Sequence, residues 1–252
     1  MRKLILLVSL FSPLALAQSI SVEPHSLLRL PGKAGSVTLE RLDVADYGTL
    51  LIPASLTEIN VGQLRLGHEA RIAIVPGEQP LRVQARQAEL ASGSQITVRG
   101  APGTYQKPAL PGRNLELSVE SLKAEVLSID ARGGAGAPGY AGLDGANGKA
   151  AGCTWGQAGR GADGDNGGNG HDGAAGANVR LQLPRNYPAA RVKVRVEGGQ
   201  GGEAGVAGKA GAGGKGKGCL IYRADGATAG KPGEPGQPGA MGAAGTVALQ
   251  HF

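Results

Sequence analysis

Two cysteines, four histidines and a scatter of carboxylates are the residues of this 252-residue chain that could do chemistry. Cys153 and Cys219 can pair. His25, His68, His171 and His251 lack the i,i+4 partner that a helix-borne metal site uses, so each reads as a surface or turn residue. The stretch Asp163-Gly-Asp165-Asn166-Gly-Gly-Asn169-Gly-His171-Asp172 is rich in calcium-type oxygen ligands. Against the EF-hand loop, however, Gly167 stands at the third ligand position and Ala174 at the twelfth, and the motif fails. Short polar residues at the exposed positions of a glycine-triplet helix explain it better. Asp43, Asp46 and Glu69 form an acidic group on one reading only, that of a secreted polysaccharide-active β-helix. No Ser/His/Asp motif accompanies them. No catalytic residue, metal or cofactor is expected.

Two short segments stand out for binding. Lys149–Arg160 holds the single Trp, Trp155, and two basic residues with no acid. Lys215–Ala229 holds Lys215, Lys217, Tyr222 and Arg223 against Asp225. Lys and Arg total 26 against 20 Asp and Glu, while residues 18–132 are balanced at 12 of each, so these segments carry the surplus of the region beyond. Aromatic rings beside concentrated positive charge suit an anionic polysaccharide, another anionic cell-surface polymer, lipopolysaccharide phosphate, or nucleic acid, the last without a supporting motif. Equally, Trp155 and Tyr222 could pack over a disulfide as a plug, with the lysines serving solubility.

The elements that position these segments are written in glycine. Of 45 glycines, 35 fall in residues 133–252. Gly recurs at every third position in four runs: 133–148, 161–176, 199–214 and 230–245, six triplet glycines in each. A three-residue period with Gly at one edge is the need of a polyproline-II-type helix touching a neighbouring backbone. Strand-like segments flank the runs: Val126–Ala131, Val179–Leu183, Val192–Val196 and Thr246–Phe252. The order strand–run–loop–run–strand, written twice, describes two long hairpins with their strand ends at one base and their loops at one tip. Cys153 and Cys219 lie in the two loops, so a Cys153–Cys219 disulfide is expected. Residues 133–252 are read as an intramolecular polyglycine-II bundle with flanking strands; a triple helix of three chains is the alternative.

Residues 18–132 have another grammar. From Val37 to Ala131, short runs alternate apolar and polar residues, the period of strands. Equivalent positions recur after 22 to 24 residues: Leu42 to Leu64, Leu64 to Ala88, Ile72 to Ile96. The exit sequence Ile96-Thr97-Val98-Arg99-Gly100 returns as Ile129-Asp130-Ala131-Arg132-Gly133, after an insertion in the Pro/Gly-rich loop Gly100–Arg113. A period of this length without helical pattern predicts a β-helix-like stack of coils, with an antiparallel β-sandwich left open. The chain is thus all-β with polyglycine-II helices. Residues 1–17 carry Arg2 and Lys3, an apolar stretch Leu4–Leu16 and Ala15-Leu16-Ala17, the pattern of a secretory signal peptide. That apolar stretch is too short to span a bilayer, and no other stretch could do so. Export to the periplasm, the cell surface or the extracellular space is expected, where the cysteines can oxidise.

The segment Gly230-Lys-Pro-Gly-Glu-Pro-Gly-Gln-Pro-Gly239 resembles bacterial collagen-like secreted proteins. The run spacing is similar to the polyglycine-II bundles of phage tail-fibre adhesins and of the Obg glycine-rich domain. The phage resemblance implies a rigid stalk that displays binding loops; no binding residue carries over. No P-loop of the G-x-x-x-x-G-K-[ST] type is present, so the GTPase half of the Obg likeness does not apply. The expected function is a non-enzymatic, monomeric, structural or adhesive protein presenting a basic, disulfide-closed tip. A trimeric collagen-like matrix protein and a β-helix polysaccharide-active enzyme are the alternatives.

Overall fold

The computed structural model describes residues 18–32, 35–154 and 156–252. The expected signal peptide, residues 1–17, lies outside the described residues, as does Trp155. Alternating residues build β1 (Ser19–Val22), β2 (Leu27–Arg29), β3 (Ser36–Val44), β4 (Thr49–Ile52), β5 (Glu58–Leu66) and β6 (Arg71–Ile74). They continue through β7 (Leu81–Leu90), β8 (Gln95–Thr97), β9 (Leu115–Ala124), β10 (Leu127–Asp130), β11 (Val179–Leu183) and β12 (Val192–Arg195). Last come the two-residue strands β13 (Lys217–Gly218) and β14 (Arg223–Ala224), then β15 (Val247–His251). The strands β1, β2 and β4 lie outside the segments legible by alternation, β4 because Thr-Leu-Leu-Ile is a near-continuous apolar run.

A seven-stranded sheet has the order β1-β3-β5-β7-β9-β11-β15, and a six-stranded sheet the order β12-β10-β8-β6-β4-β2. Every pairing within both sheets is parallel. That overturns the antiparallel sandwich alternative. The chain visits the two sheets in turn, so each coil gives one strand to each and stacks on the coil before it. The equivalences read by period are register partners: Leu42 with Leu64, Leu64 with Ala88, Ile72 with Ile96, Ile96 with Ile129. Inward columns of Leu, Ile, Val and Ala fill one apolar core between the sheets. Tyr187, between β11 and β12, is the one aromatic in that cluster among the described residues.

Each long strand changes side-chain phase midway while its register with its neighbours is kept. Leu39 pairs with Val61 and Arg41 with Gln63, so the ladder passes over Glu40 and Gly62. The same level is skipped at Arg86 and Glu120. In β3 both Glu40 and Arg41 face outward, and burial resumes at Leu42 and Val44, so the inward phase shifts by one residue at this level. Gly62 is required there, since a Cβ would stand 2.5 Å from the Glu40 carbonyl oxygen. A second column sits at the turns, where His25, Tyr47, Glu69 and Gly93 all have φ between 50° and 73°. The His25, Tyr47 and Glu69 amides bond the turn of the next coil at Asp46, His68 and Ser92.

The connection from the second strand of a coil to the next coil is short at first, 53–57 and 75–80, then opens to 98–114, 131–178 and 196–246. The glycine runs are therefore excursions from the coil stack. The first pair leaves β10 and returns as β11; the second leaves β12 and returns as β15. Sequence position 132/133 marks a change of local structure, while the flanking strands of residues 133–252 belong to the same two sheets.

The runs lie side by side, bonded to one another with a three-residue step. The amides of Gly136, Gly139, Gly142, Gly145 and Gly148 donate to run three, advancing in the same direction along it. Those of Gly164, Gly167, Gly170 and Gly173 donate likewise to run four. Run two also donates back to run one through Ala162, Asp165, Gly168, His171 and Ala174; run three donates to run two, and run four to run three, each antiparallel. Runs two and three are thus central, with three partners each, and runs one and four are outer. The Pro/Gly-rich loop joins them at the base: Gly100 and Gly103 donate to Arg132 and Ala135, and Gly112 donates to Ala175.

Candidate functional site

The two loops meet at the end of the runs farthest from the sheets. Cys153 and Cys219 are joined there in a disulfide, with Cα atoms 5.6 Å apart across a separation of 66 residues. Lys217 and Gly218 pair antiparallel with Ala224 and Arg223, which folds 219–222 into a turn closed by the Cys219 amide on the Tyr222 carbonyl at 2.8 Å. The Tyr222 hydroxyl donates to the Cys153 carbonyl at 2.5 Å, a second link between the loops beside the disulfide. The Ala151 amide donates to the Lys215 carbonyl, and the Gly159 amide to that of Lys149.

The expected tip residues come together in part. Lys149, Arg160, Lys215, Lys217, Tyr222 and Arg223 are exposed at this end. Tyr222, Arg223 and Asp225 line one side of a shallow polar groove whose other side is Gly152, Thr154, Gln157 and Ala158. Arg160 holds an exposed ion pair with Asp163 at 3.1 Å, so its charge is shared with run two. The expected pairing of Trp155 with Tyr222 falls outside the described residues. Sequence reasoning passed over Leu220 and Ile221, two of the most exposed large apolar residues, at the head of the turn. The available signal was an apolar Leu-Ile-Tyr inside an otherwise Lys/Gly-rich connector.

The calcium-like stretch has a structural task. Asp163, Asn166, Asn169 and Asp172 each accept through Oδ1 from a backbone amide of run four, those of Lys231, Glu234, Gln237 and Ala240, at 2.7–2.9 Å. Asn178 does the same for Thr246. Run four is an outer strand of the set and has amides that no neighbouring backbone reaches. In the triplet 233–235 the account closes: Gly233 donates to Gly208, Glu234 to Asn166, and Pro235 has no N–H. Among the described residues no group of three or more His, Cys, Asp and Glu is placed to hold a metal ion.

Elsewhere, outward side chains of the seven-stranded sheet form register rows. Asp43, Arg65, Glu89 and Lys123 alternate in sign across four strands, as do Glu58, Arg82, Glu116 and Arg180. Lys123–Glu89 at 2.9 Å and Arg82–Glu116 at 3.1 Å are the short pairs. Asp43 thus belongs to a charge row, and Asp46 Oδ1 accepts the His68 amide at 2.7 Å. A further row, Thr38–Asn60–Gln84–Ser118–Gln182–Gln250, is wholly neutral and polar and passes through two shallow grooves. His25 stacks on Tyr47 at 4.8 Å, and His68 meets the edge of Tyr47 at 5.6 Å. No helix among the described residues is long and apolar enough to cross a membrane. Compared with protein-family models, with curated proteins and with solved structures, the chain has no match.

Proposed function

We propose that this is an exported, non-enzymatic display protein. In this reading the four runs are polyglycine-II helices forming an intramolecular bundle, roughly 50 Å long at about 3.1 Å per residue. The bundle holds a disulfide-closed basic tip away from the coil stack and presents it to anionic surface polymers, as the likeness to phage adhesin stalks implies. The observation that carries the reading is the three-residue hydrogen-bond step maintained from base to tip on all four runs. A rod bonded at every triplet resists bending, and a disulfide joining both loops fixes what it displays. The disulfide also favours an oxidising compartment, in line with the leader pattern of residues 1–17.

The test is binding to a soluble anionic polysaccharide over a salt series. Changing Lys215, Lys217 and Arg223 together to Ala should weaken binding and flatten its salt dependence, because three cations leave the tip. Binding unchanged in strength and salt slope would sink the proposal. A second reading, a coil stack that acts on polysaccharide, draws support from the neutral polar row on the sheet face. Glycan turnover lost on Asp43→Ala or Asp46→Ala would favour it.

A further inference from the structure

Leu220 is 105% exposed and Ile221 93% exposed, at the apex of the 219–222 turn. Ordinary surfaces tolerate single exposed aliphatics, but these two are adjacent and project from the extreme end of the molecule. The turn is tied down behind them: the Cys219 amide bonds Tyr222, the Tyr222 hydroxyl bonds Cys153, and the disulfide crosses to the other loop. Exposure of Leu220 and Ile221 is therefore built into a fixed turn.

What surrounds the pair is cationic. Lys217 lies just before the turn and Arg223 just after it, with Lys215 one step further back, and all three are exposed. Asp225 is the one acid of this connector. The order from the apex inward is apolar, then basic. A soluble polyanion offers nothing to Leu220 and Ile221. A leaflet of anionic lipid offers both layers in the matching order, acyl chains beneath phosphates. Tyr222, half-exposed between the two layers, has the amphipathic side chain that interfaces favour.

We propose that the Cys219–Tyr222 turn is a lipid-inserting wedge. Leu220 and Ile221 enter the acyl region while Lys215, Lys217 and Arg223 engage the headgroup phosphates. This deepens the anionic-surface reading above and rests on it, with the source of the negative charge now fixed as a lipid.

The test uses the oxidised full chain, sedimented with phosphatidylglycerol/phosphatidylcholine vesicles or with phosphatidylcholine vesicles alone, and separately titrated with dextran sulfate. Wild type should bind the anionic vesicles and leave the zwitterionic ones. The variant Leu220→Ser/Ile221→Ser should lose at least about tenfold in anionic-vesicle affinity, while dextran sulfate binding stays within about twofold. Lys215→Ala/Lys217→Ala/Arg223→Ala should lose both. Vesicle binding untouched by the Leu220/Ile221 change overturns the wedge. Binding to dextran sulfate without any to vesicles also overturns it and leaves the polymer reading standing, whereas failure with both ligands removes the two together. Both side chains are exposed, so loss of fold does not confound the serine variant; an intact disulfide by mass confirms it.

Discussion

Single residues in this molecule hold the places where the repeat is interrupted. Arg113, 1% exposed, sits near the end of the 98–114 excursion and turns its guanidinium inward, with no carboxylate partner among the described residues. It donates instead to the carbonyls of Gln79 at 2.8 Å, Leu56 at 2.5 Å and Pro53 at 3.4 Å, so one side chain closes backbone left open in two earlier coils. Burial alone pulls its pKa downward. Asp130, 7% exposed, does the matching task where run one leaves the stack: Arg132 grips it through Nε at 2.8 Å and Nη2 at 2.7 Å. Those hydrogen bonds outweigh burial and hold its carboxyl below the usual carboxylate range. The unfolded chain therefore takes up the Asp130 proton at a higher pH than the folded chain does. The stabilisation is complete above the unfolded value of about 3.9 and is lost as pH falls from there through the folded value. Asp130→Asn should lower the urea midpoint at pH 7, and the gap to wild type should narrow by about pH 3. A gap that is constant with pH would mean that the pair contributes through shape alone.

At the scale of elements, the glycine runs and the strands solve the same problem by different spacing. A strand satisfies its amides sideways in one plane, whereas a run with a three-residue period offers partners on several sides. The condition is that one edge carries no side chain. Gly205 shows how strict that is: a Cβ there would overlap the Tyr140 carbonyl oxygen and stand 2.8 Å from the Gly168 nitrogen. Backbone on both sides leaves nothing flexible to move. Gly205→Ala should therefore destabilise the molecule by about 1–3 kcal/mol or more and raise amide exchange along runs one to three. Gly218 at the tip has nothing within 4 Å of its Cβ position, and Gly218→Ala should leave the melting temperature unchanged. Equal effects of the two substitutions would remove close backbone packing as the reason for the triplets. In the strands, the phase change at Glu40, Gly62, Arg86 and Glu120 falls at one level coil after coil, so the core stays in phase from β3 to β9.

For the whole molecule, one consequence is the oligomeric state. The glycine edges of the four runs already face runs of the same chain, so in the proposed bundle a second or third chain has no edge left to occupy. Sedimentation at micromolar concentration should return a single chain, extended rather than compact. A trimer that melts sharply as a triple helix would replace the bundle by the collagen-like alternative. The long excursions all open on one connection of the coil, which gathers the loops on one side and brings two connectors distant in sequence to one tip.

Much of this was open to reading because a period is a local property. Triplet glycine forces close backbone contact wherever the partner is, and the 22- and 24-residue recurrences recorded the register that β3, β5 and β7 adopt. The disulfide followed from hairpin geometry alone, with no need to know which run touches which. The tertiary structure decided whatever depends on the lateral order of elements. Parallel rather than antiparallel pairing is one such matter, since alternation is identical in both. Another is the lateral placement of run four beside run two, where no neighbouring backbone reaches the amides of Lys231, Glu234, Gln237 and Ala240, which turns Asp163, Asn166, Asn169 and Asp172 from an apparent ligand set into a row of acceptors for them. The third is the turn that lifts Leu220 and Ile221 clear of the tip: composition records two apolar residues, and only the fold shows that among the described residues they stand fully exposed.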